Sequence, residues 1–128
     1  MESSASPASN PSSRPVAPEE KIRHLPEAAQ AAFRAFRASG DVAVLDPLLF
    51  AILEHYVPRA PARPLAEHAG ATLLMDDLGF DSLAITEVVF FTEDLFEITI
   101  ANEEILLVRS LDDLRAFLRA KVSARAKP

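Results

Sequence analysis

The stretch DLGFDSL, from Asp77 to Leu83, joins a loop to the start of a predicted helix that runs from Ser82 to about Glu97. A serine in the first turn of a helix lies beside backbone N–H groups without helical partners, at the positive end of the helix dipole. Such a position stabilises an attached phosphate. The position alone therefore leaves two interpretations of Ser82, an ordinary N-cap, which is the commoner case, or a serine that is modified.

Upstream of this stretch, apolar residues recur at helical spacing over residues 47–57. Asp46 is a predicted N-cap for this helix, and Pro47 suits its first turn. Three prolines between residues 58 and 64 follow, and they predict a long, stiff loop that leads towards Asp77.

Downstream, a short helical turn opens at Asn102, and Ser110 with Asp113 resembles a capping box for a last helix over residues 111–121. No convincing alternating strand pattern is present in the sequence. We therefore predict an all-α fold, a small four-helix bundle with a long loop between its first two helices.

The chain ends differ in composition from this body. Residues 1–25 are rich in serine and proline and are predicted to be disordered. Residues 26–40 contain an additional amphipathic helix that ends at a glycine. The predicted organisation is thus a disordered extension (1–25), an extra helix (26–40), a folded domain (41–122) and a basic tail (123–128).

The composition excludes several classes of protein. The 128 residues include no cysteine, which excludes disulfides and cysteine-ligated metals. His24, His55 and His68 are far apart in the sequence, and none pairs with another at metal-ligand spacing, so no metal site is predicted. The net charge of −6 argues against nucleic-acid binding. No apolar run approaches the length of a membrane span, and no secretory signal is recognised at the N-terminus.

The acidic residues are concentrated in one part of the chain. The segment from Asp76 to Asp113 contains eleven acidic residues and one basic residue, Arg109, whereas five basic residues and no acidic one follow from Leu114 onward. Such a middle segment suits a basic partner protein, although charges of this kind also simply solvate helices.

Residues 72–118 as a whole resemble the acyl carrier protein family. The DLGFDSL run matches the signature of the family, in which an acidic residue, leucine and glycine precede Asp-Ser-Leu. At the spacing of the family there follow an aromatic residue, Phe96, then Ile100, then an acidic turn at Glu103 and Glu104, and finally a leucine-rich helix from Leu111.

The resemblance implies that Ser82, between Asp81 and Leu83, is where a phosphopantetheinyl transferase attaches the 4′-phosphopantetheine arm of coenzyme A. The thiol of the arm then carries acyl groups as thioesters, so the chain itself needs no cysteine and no catalytic residue. Expected partners are the transferase and acyl-processing enzymes such as a ketosynthase or an acyltransferase, each with a basic docking patch.

A helical wheel of residues 82–97 places one apolar sector towards the core. This sector comprises Ile85, Val88, Val89, Thr92, Leu95 and Phe96. By resemblance, an acyl-chain pocket lies between this helix and the last two helices, and core packing is the alternative role for each lining residue. The expected lining residues are Ile85, Thr92, Phe96, Ile100, Ile105, Val108 and Leu114.

The opposite face of the same helix is expected to dock on partner enzymes. Leu83 and Phe90 are two apolar residues on this predicted exposed face, and the acids Glu87, Asp94 and Glu97 surround them. In such a patch the apolar residues supply affinity and the acids steer the encounter.

Three positions depart from the family pattern. Ala84 stands where many fatty-acid carriers have an acid, Ala101 replaces the usual proline, and Phe80 is larger than the common alanine or valine. These departures favour a specialised lipid or polyketide pathway over housekeeping fatty acid synthesis. We expect a free-standing, monomeric, cytoplasmic carrier.

The sequence leaves three alternative functions to consider. A peptidyl carrier shares the serine, but Asp81 favours the acyl type. An unmodified helical scaffold remains open on sequence alone. A serine hydrolase is disfavoured because Phe80 and Ala84 occupy the positions that the G-x-S-x-G elbow requires to be glycine.

Overall fold

The computed structural model describes residues 17–126, and within this range the chain forms α-helices and no strand. The all-α prediction is confirmed. The helices are α1 (Pro18–Lys21), α2 (Glu27–Ser39), α3 (Asp46–Tyr56), α4 (Ser82–Phe96), α5 (Asn102–Ile105) and α6 (Leu111–Ala126). The predicted last helix is longer than expected, because α6 continues into the segment that was assigned to a basic tail.

The prediction of a disordered segment over residues 1–25 is wrong for the part that the structure describes. Residues 18–21 form α1, which begins with a proline in its first turn. Ile22 and Leu25 are 1% and 5% exposed and belong to the hydrophobic core. These two apolar residues, three positions apart, anchor an otherwise polar segment in the hydrophobic core. The remaining residues of the predicted disordered segment, 1–16, lie outside the described range.

Helix α2 packs on the body through its apolar stripe. Ala29, Ala32 and Phe33 are buried, and α2 lies against α3. The rings of Phe33 and Phe36 both meet the ring of Phe96 edge-on, with centroids 6.0 and 5.9 Å apart. The extra helix therefore shares one core with the helices that follow it. It ends at Gly40, whose φ of 75° is readily adopted only by glycine.

The start of α3 differs from the prediction. A 3₁₀ turn (Val42–Leu45) precedes the helix, so Asp46 is its first residue and not its N-cap. The Asp46 carboxylate instead accepts hydrogen bonds from Arg115 at 2.7 Å and from Arg119 at 2.9 Å, both in α6. This half-buried carboxylate therefore ties the first helix of the body to the last one.

The core is made by leucine, isoleucine and phenylalanine side chains from all parts of the described chain. The largest of the almost fully buried side chains are Phe33, Ile22, Leu45, Leu48, Ile52, Leu53, Leu65 and Leu111. Burial of each such side chain contributes on the order of 1.5–3 kcal/mol.

The long loop between α3 and α4 is held at both ends. Leu65, in a short 3₁₀ turn, is fully buried, and its N–H donates to the Glu54 carboxylate at 2.8 Å. Farther along, the Leu74 N–H donates to the Arg109 carbonyl, and the Leu111 N–H donates to the Thr72 carbonyl. These two bonds fix the last part of the loop, just before α4, to the start of α6.

The start of α6 is capped as predicted. The Asp113 N–H donates to the Ser110 hydroxyl at 3.1 Å, and the Ser110 N–H donates back to the Asp113 carboxylate at 3.2 Å. Reciprocal bonds of this kind satisfy two backbone donors that a helix start otherwise leaves open. The pKa of Asp113 is lowered by the hydrogen bonds from the backbone of Arg109 and Ser110.

Candidate functional site

The first turn of α4 is capped by Asp81 and not by Ser82. The Asp81 Oδ1 accepts a hydrogen bond from the Ala84 N–H at 2.8 Å, and the Asp81 carbonyl accepts one from the Ile85 N–H at 3.0 Å. Ser82 is therefore the first residue of the helix. Its side chain is exposed, and its hydroxyl forms no hydrogen bond with residues 17–126. The ordinary N-cap interpretation of Ser82 is thus excluded.

A tight turn presents Ser82 at a fixed place. Gly79 has a φ of 83°, in the left-handed region that favours glycine. Leu78 and Phe80, on either side of it, are buried and anchor the turn in the core. The Phe80 N–H donates to the Leu74 carbonyl, and the Asp77 carboxylate accepts from the Leu73 N–H at 2.7 Å. The turn is therefore held by backbone, carboxylate and core contacts before the serine is reached.

A mainly apolar cavity of about 530 Å³ opens beside Ser82. It lies between the loop that precedes α4, the first turns of α4, and α5 with the segment after it. Its lining residues are Leu73, Leu74, Met75, Asp76, Ser82, Ile85, Thr86, Ile105, Leu106, Val108 and Arg109. The volume falls within the range of small-molecule binding sites in proteins.

Only part of the predicted pocket lies at this cavity. Of the seven expected lining residues, Ile85, Ile105 and Val108 line it. The other four predicted lining residues do not, which corrects the prediction; they are Thr92, Phe96, Ile100 and Leu114. For Thr92 and Phe96 the physical reason is distance along the helix, because α4 rises about 1.5 Å per residue and Thr92 lies nearly two turns beyond Ile85.

These four residues pack elsewhere. Thr92 is buried, and its hydroxyl donates to the Val88 carbonyl at 2.7 Å, so its polar atom is satisfied within the helix. Phe96 contacts α2, and Leu114 is half-buried against the core. Ile100 is 9% exposed, and its N–H donates to the Glu93 carboxylate. Their roles in the described chain are those of core residues.

Several residues that line the cavity were not expected from the sequence, mainly those of the loop before α4. Leu73 and Met75 are exposed at 37% and 53% and contribute to its wall, as does Leu106, which is exposed at 73%. The signal that could have indicated them is the apolar run directly before the DLGFDSL stretch. Apolar residues of this size that remain exposed around a cavity mark a binding surface.

The predicted docking residues are exposed on α4, as expected from the helical wheel. Leu83 and Phe90 are 69% and 63% exposed, and Glu87 lies on the same face. Asp94 is exposed as well, and its carboxylate is paired with Lys21 at 2.9 Å. Glu97 ends the helix with a left-handed φ of 56° and is also engaged in an interaction.

Two of the three histidines, which are distant in sequence, come together in the structure. The rings of His24 and His55 lie 4.5 Å apart, centroid to centroid, and His24 also meets Phe91 edge-on. Partial burial, followed by the effect of His55, lowers the pKa of His24. Among residues 17–126, no group of three or more potential metal-ligating side chains is found.

Within residues 17–126, no helix is both long enough and apolar enough to cross a bilayer.

The fold and this site define a small helical bundle that presents a free serine hydroxyl at a helix start, next to an apolar cavity. Over 47 residues the chain is 40% identical to an acyl carrier protein from Exiguobacterium sp. strain AT1b. This match covers 37% of the chain and 60% of the relative, which is less than two thirds of its length. No family model matches the chain, and no solved structure matches it.

Proposed function

We propose that the chain is an acyl carrier protein that carries acyl or polyketide intermediates as thioesters on a 4′-phosphopantetheine arm attached to Ser82. The observation that carries the proposal is the free, exposed hydroxyl of Ser82. This hydroxyl is free because Asp81, and not Ser82, caps α4. The similarity to an acyl carrier protein over 47 residues supports it independently. The chain itself is proposed to catalyse nothing.

The residues around Ser82 fit a phosphate ester at this position. Asp81 takes up the N–H of Ala84, but the N–H groups of Ser82 and Leu83 belong to the first turn, where a helix offers no carbonyl partner. Phosphate oxygens on Ser82 would accept hydrogen bonds from such groups and interact with the positive end of the helix dipole.

Attachment requires one bond exchange. The Ser82 oxygen attacks the pantetheine-side phosphorus of the coenzyme A diphosphate, the bond to the bridging oxygen breaks, and 3′,5′-ADP leaves. The hydroxyl proton passes to a base of the transferase. The chain contributes an accessible oxygen on a rigid turn, and the transferase contributes the rest of the chemistry.

The cavity beside Ser82 is proposed to shelter the thioester-bound group. Ile85, Ile105 and Val108 offer an apolar wall, and Arg109 and Asp76 lie at its polar part. Apolar burial of an acyl chain at such a wall is favourable and also keeps water from the thioester. This assignment keeps three of the seven expected pocket residues and adds the loop residues that precede α4.

The proposed partners are the transferase and acyl-processing enzymes such as a ketosynthase or an acyltransferase, which dock through basic surfaces. Leu83 and Phe90 supply exposed apolar contact, and Glu87, Asp94 and Glu97 supply negative charge. Asp81 is next to the attachment serine, and we propose that the transferase recognises it together with Leu83.

The proposed pathway is specialised lipid or polyketide synthesis, in a cytoplasmic and monomeric carrier. Phe80 and Ala84, which depart from the pattern of fatty-acid carriers, are both 3% exposed. An acid at a position as buried as Ala84 would be destabilising without a partner, so the departure suits the packing of this chain. Ala101, the third departure, is exposed. A peptidyl carrier and an unmodified scaffold are the competing functions.

The direct test is incubation with coenzyme A and a phosphopantetheinyl transferase, followed by mass measurement of the intact protein. We expect a gain of one phosphopantetheine, and no gain for Ser82→Ala. Ser39→Ala is the matched control, because Ser39 is another exposed serine at a helix end, bonded to the Ala35 carbonyl. Modification of Ser82→Ala to the same extent as the control would refute the assignment, and an unmodified wild-type protein would favour the scaffold.

A further inference from the structure

We propose that residues 18–24 form an intramolecular strap on the C-terminal half of α4, in which Lys21 competes with basic partner proteins for Asp94. This inference rests on the proposed carrier function, because it concerns the surface through which such a carrier meets its enzymes. It assigns a role to the N-terminal segment that packs on α4.

The strap runs antiparallel to α4 in regular steps. Pro18 lines a second cavity together with Glu97, and Lys21 is paired with Asp94. The ring of His24 meets the ring of Phe91 edge-on, with centroids 5.8 Å apart. Residues 18, 21 and 24 of the segment thus lie opposite residues 97, 94 and 91, so the two run in opposite directions. The contact ends near Phe91, so the first two turns of α4, nearest to Ser82, stay uncovered.

The segment is fixed firmly enough to act in this way. Ile22 and Leu25 are buried in the core between the polar residues that face α4. The ring of His24 also contacts the ring of His55 in α3, with centroids 4.5 Å apart and the ring planes tilted by 60°. The backbone of the strap is therefore docked, and only the Lys21 side chain has to yield when a partner approaches.

Lys21 occupies the place that a partner's cation would take. Its ammonium lies 2.9 Å from the Asp94 carboxylate and donates to the Asp94 carbonyl at 3.2 Å. That carbonyl belongs to the last turn of α4, where a cation also meets the negative end of the helix dipole. The Lys21 side chain is 19% exposed and the Asp94 side chain 67% exposed, so Asp94 is neutralised but still accessible.

Glu87 is the contrasting acid. It lies two turns closer to Ser82 on the same helix, is exposed, and forms no ion pair with the residues from 17 to 126. An approaching basic surface therefore finds a carboxylate without an ion pair near Ser82 and a paired carboxylate at the distal end of α4. The partner whose docking Lys21 weakens is one whose basic residues reach the distal end of α4 as well as the part near Ser82.

The experiment measures the rate of arm attachment at limiting carrier concentration and low salt. Lys21→Met keeps the buried stem but removes the charge, and we expect it to raise the rate by about two- to fivefold, the range for a surface ion pair. Lys21→Arg should react as the wild type does. Arg34→Met is the matched control, because it removes the same charge from an exposed pair with Glu27 on α2.

Asp94→Asn supplies the second arm. It should change the rate little in the wild-type background but abolish the gain produced by Lys21→Met, and added salt should abolish that gain as well. Equal rates for Lys21→Met and the wild type, an equal gain in Arg34→Met, or a gain that survives Asp94→Asn would each overturn the strap. If Lys21→Met melts early, Lys21→Gln, which keeps a donor for the Asp94 carbonyl, serves in its place. A wild-type chain that takes no arm would refute the carrier function itself, which separates the two failures.

Discussion

The carboxylate of Asp81 accepts a hydrogen bond from the Ala84 N–H at 2.8 Å. Because of this bond, helix capping and the exposed hydroxyl are assigned to two different residues. Asp81 caps the helix, and Ser82, the next residue, keeps a free hydroxyl on the surface. A serine in the cap position would have its oxygen engaged with the backbone. A capping side chain at residue 81 therefore leaves the Ser82 oxygen accessible on a stable helix start.

Asp81→Ala is expected to destabilise the chain by about 1 kcal/mol, because the Ala84 N–H loses its acceptor. Asp81→Asn retains the cap oxygen and should melt close to the wild type. Thermal melts of the two variants check the cap. Rates of arm attachment to Asp81→Asn, measured beside them, test whether the transferase requires the charge. An Asp81→Ala protein as stable as the wild type would show that another group caps α4.

Ile22→Ala is expected to destabilise the protein by about 2–5 kcal/mol, because the side chain is 1% exposed and its loss leaves a cavity. Removal of residues 1–25 should destabilise at least as much, since it also deletes Leu25, which is 5% exposed. Arg23→Ala is the control in the same segment, because its side chain is exposed. Chemical unfolding curves give the comparison, and equal stability of Ile22→Ala and Arg23→Ala would contradict the packing.

Local patterns in the sequence were sufficient for the existence of helices α2 to α6 and for the start of α4, although not for α1 or for the start of α3. The capping box of Ser110 with Asp113 and the stop at Gly40 depend on neighbours within a few residues, and both are found as predicted. The exposure of Leu83 and Phe90 followed from helical periodicity alone. Such features are encoded within one or two turns of the chain.

Contacts between distant segments could not be read in this way. Asp46 has every local property of an N-cap, yet its carboxylate is bound by Arg115 and Arg119, about seventy residues away. Composition suggested disorder up to residue 25, whereas Ile22 found a place in the core. The cavity beside Ser82 likewise depends on how the loop residue Leu73 pairs with Ser110, which no local pattern specifies.

The His24–His55 contact predicts a loss of stability in mild acid. The pKa of His24 is lowered, first by burial and second by His55, so protonation of His24 is less favourable in the folded chain than in the unfolded chain. Its contribution is present above the ordinary histidine pKa and is lost as the pH falls through the lowered value. Melting temperatures at pH 7.5 and 5.5 should therefore differ less for His24→Gln than for the wild type. His55→Gln should remove only the smaller part of the effect, and an unchanged pH dependence in His24→Gln would contradict the assignment.

The neighbouring residues Phe90 and Phe91 allow stability and docking to be tested separately. Phe90 is 63% exposed, whereas Phe91 is half-buried, with its ring 6.0 Å from Tyr56 and 5.8 Å from His24. Phe90→Ala should leave the melting temperature almost unchanged but weaken the contact with a transferase or synthase by about 1–3 kcal/mol, as expected for a truncated interface anchor. Phe91→Ala should lower the melting temperature, because it removes packing between α3, α4 and the N-terminal segment. Charge reversal at Glu87 should chiefly slow association, and added salt should reduce the difference between Glu87→Lys and the wild type. The measurements are steady-state kinetics with the partner enzyme and thermal melts of the same samples. A Phe90→Ala protein that melts normally and reacts at the full rate would show that this exposed ring takes no part in docking.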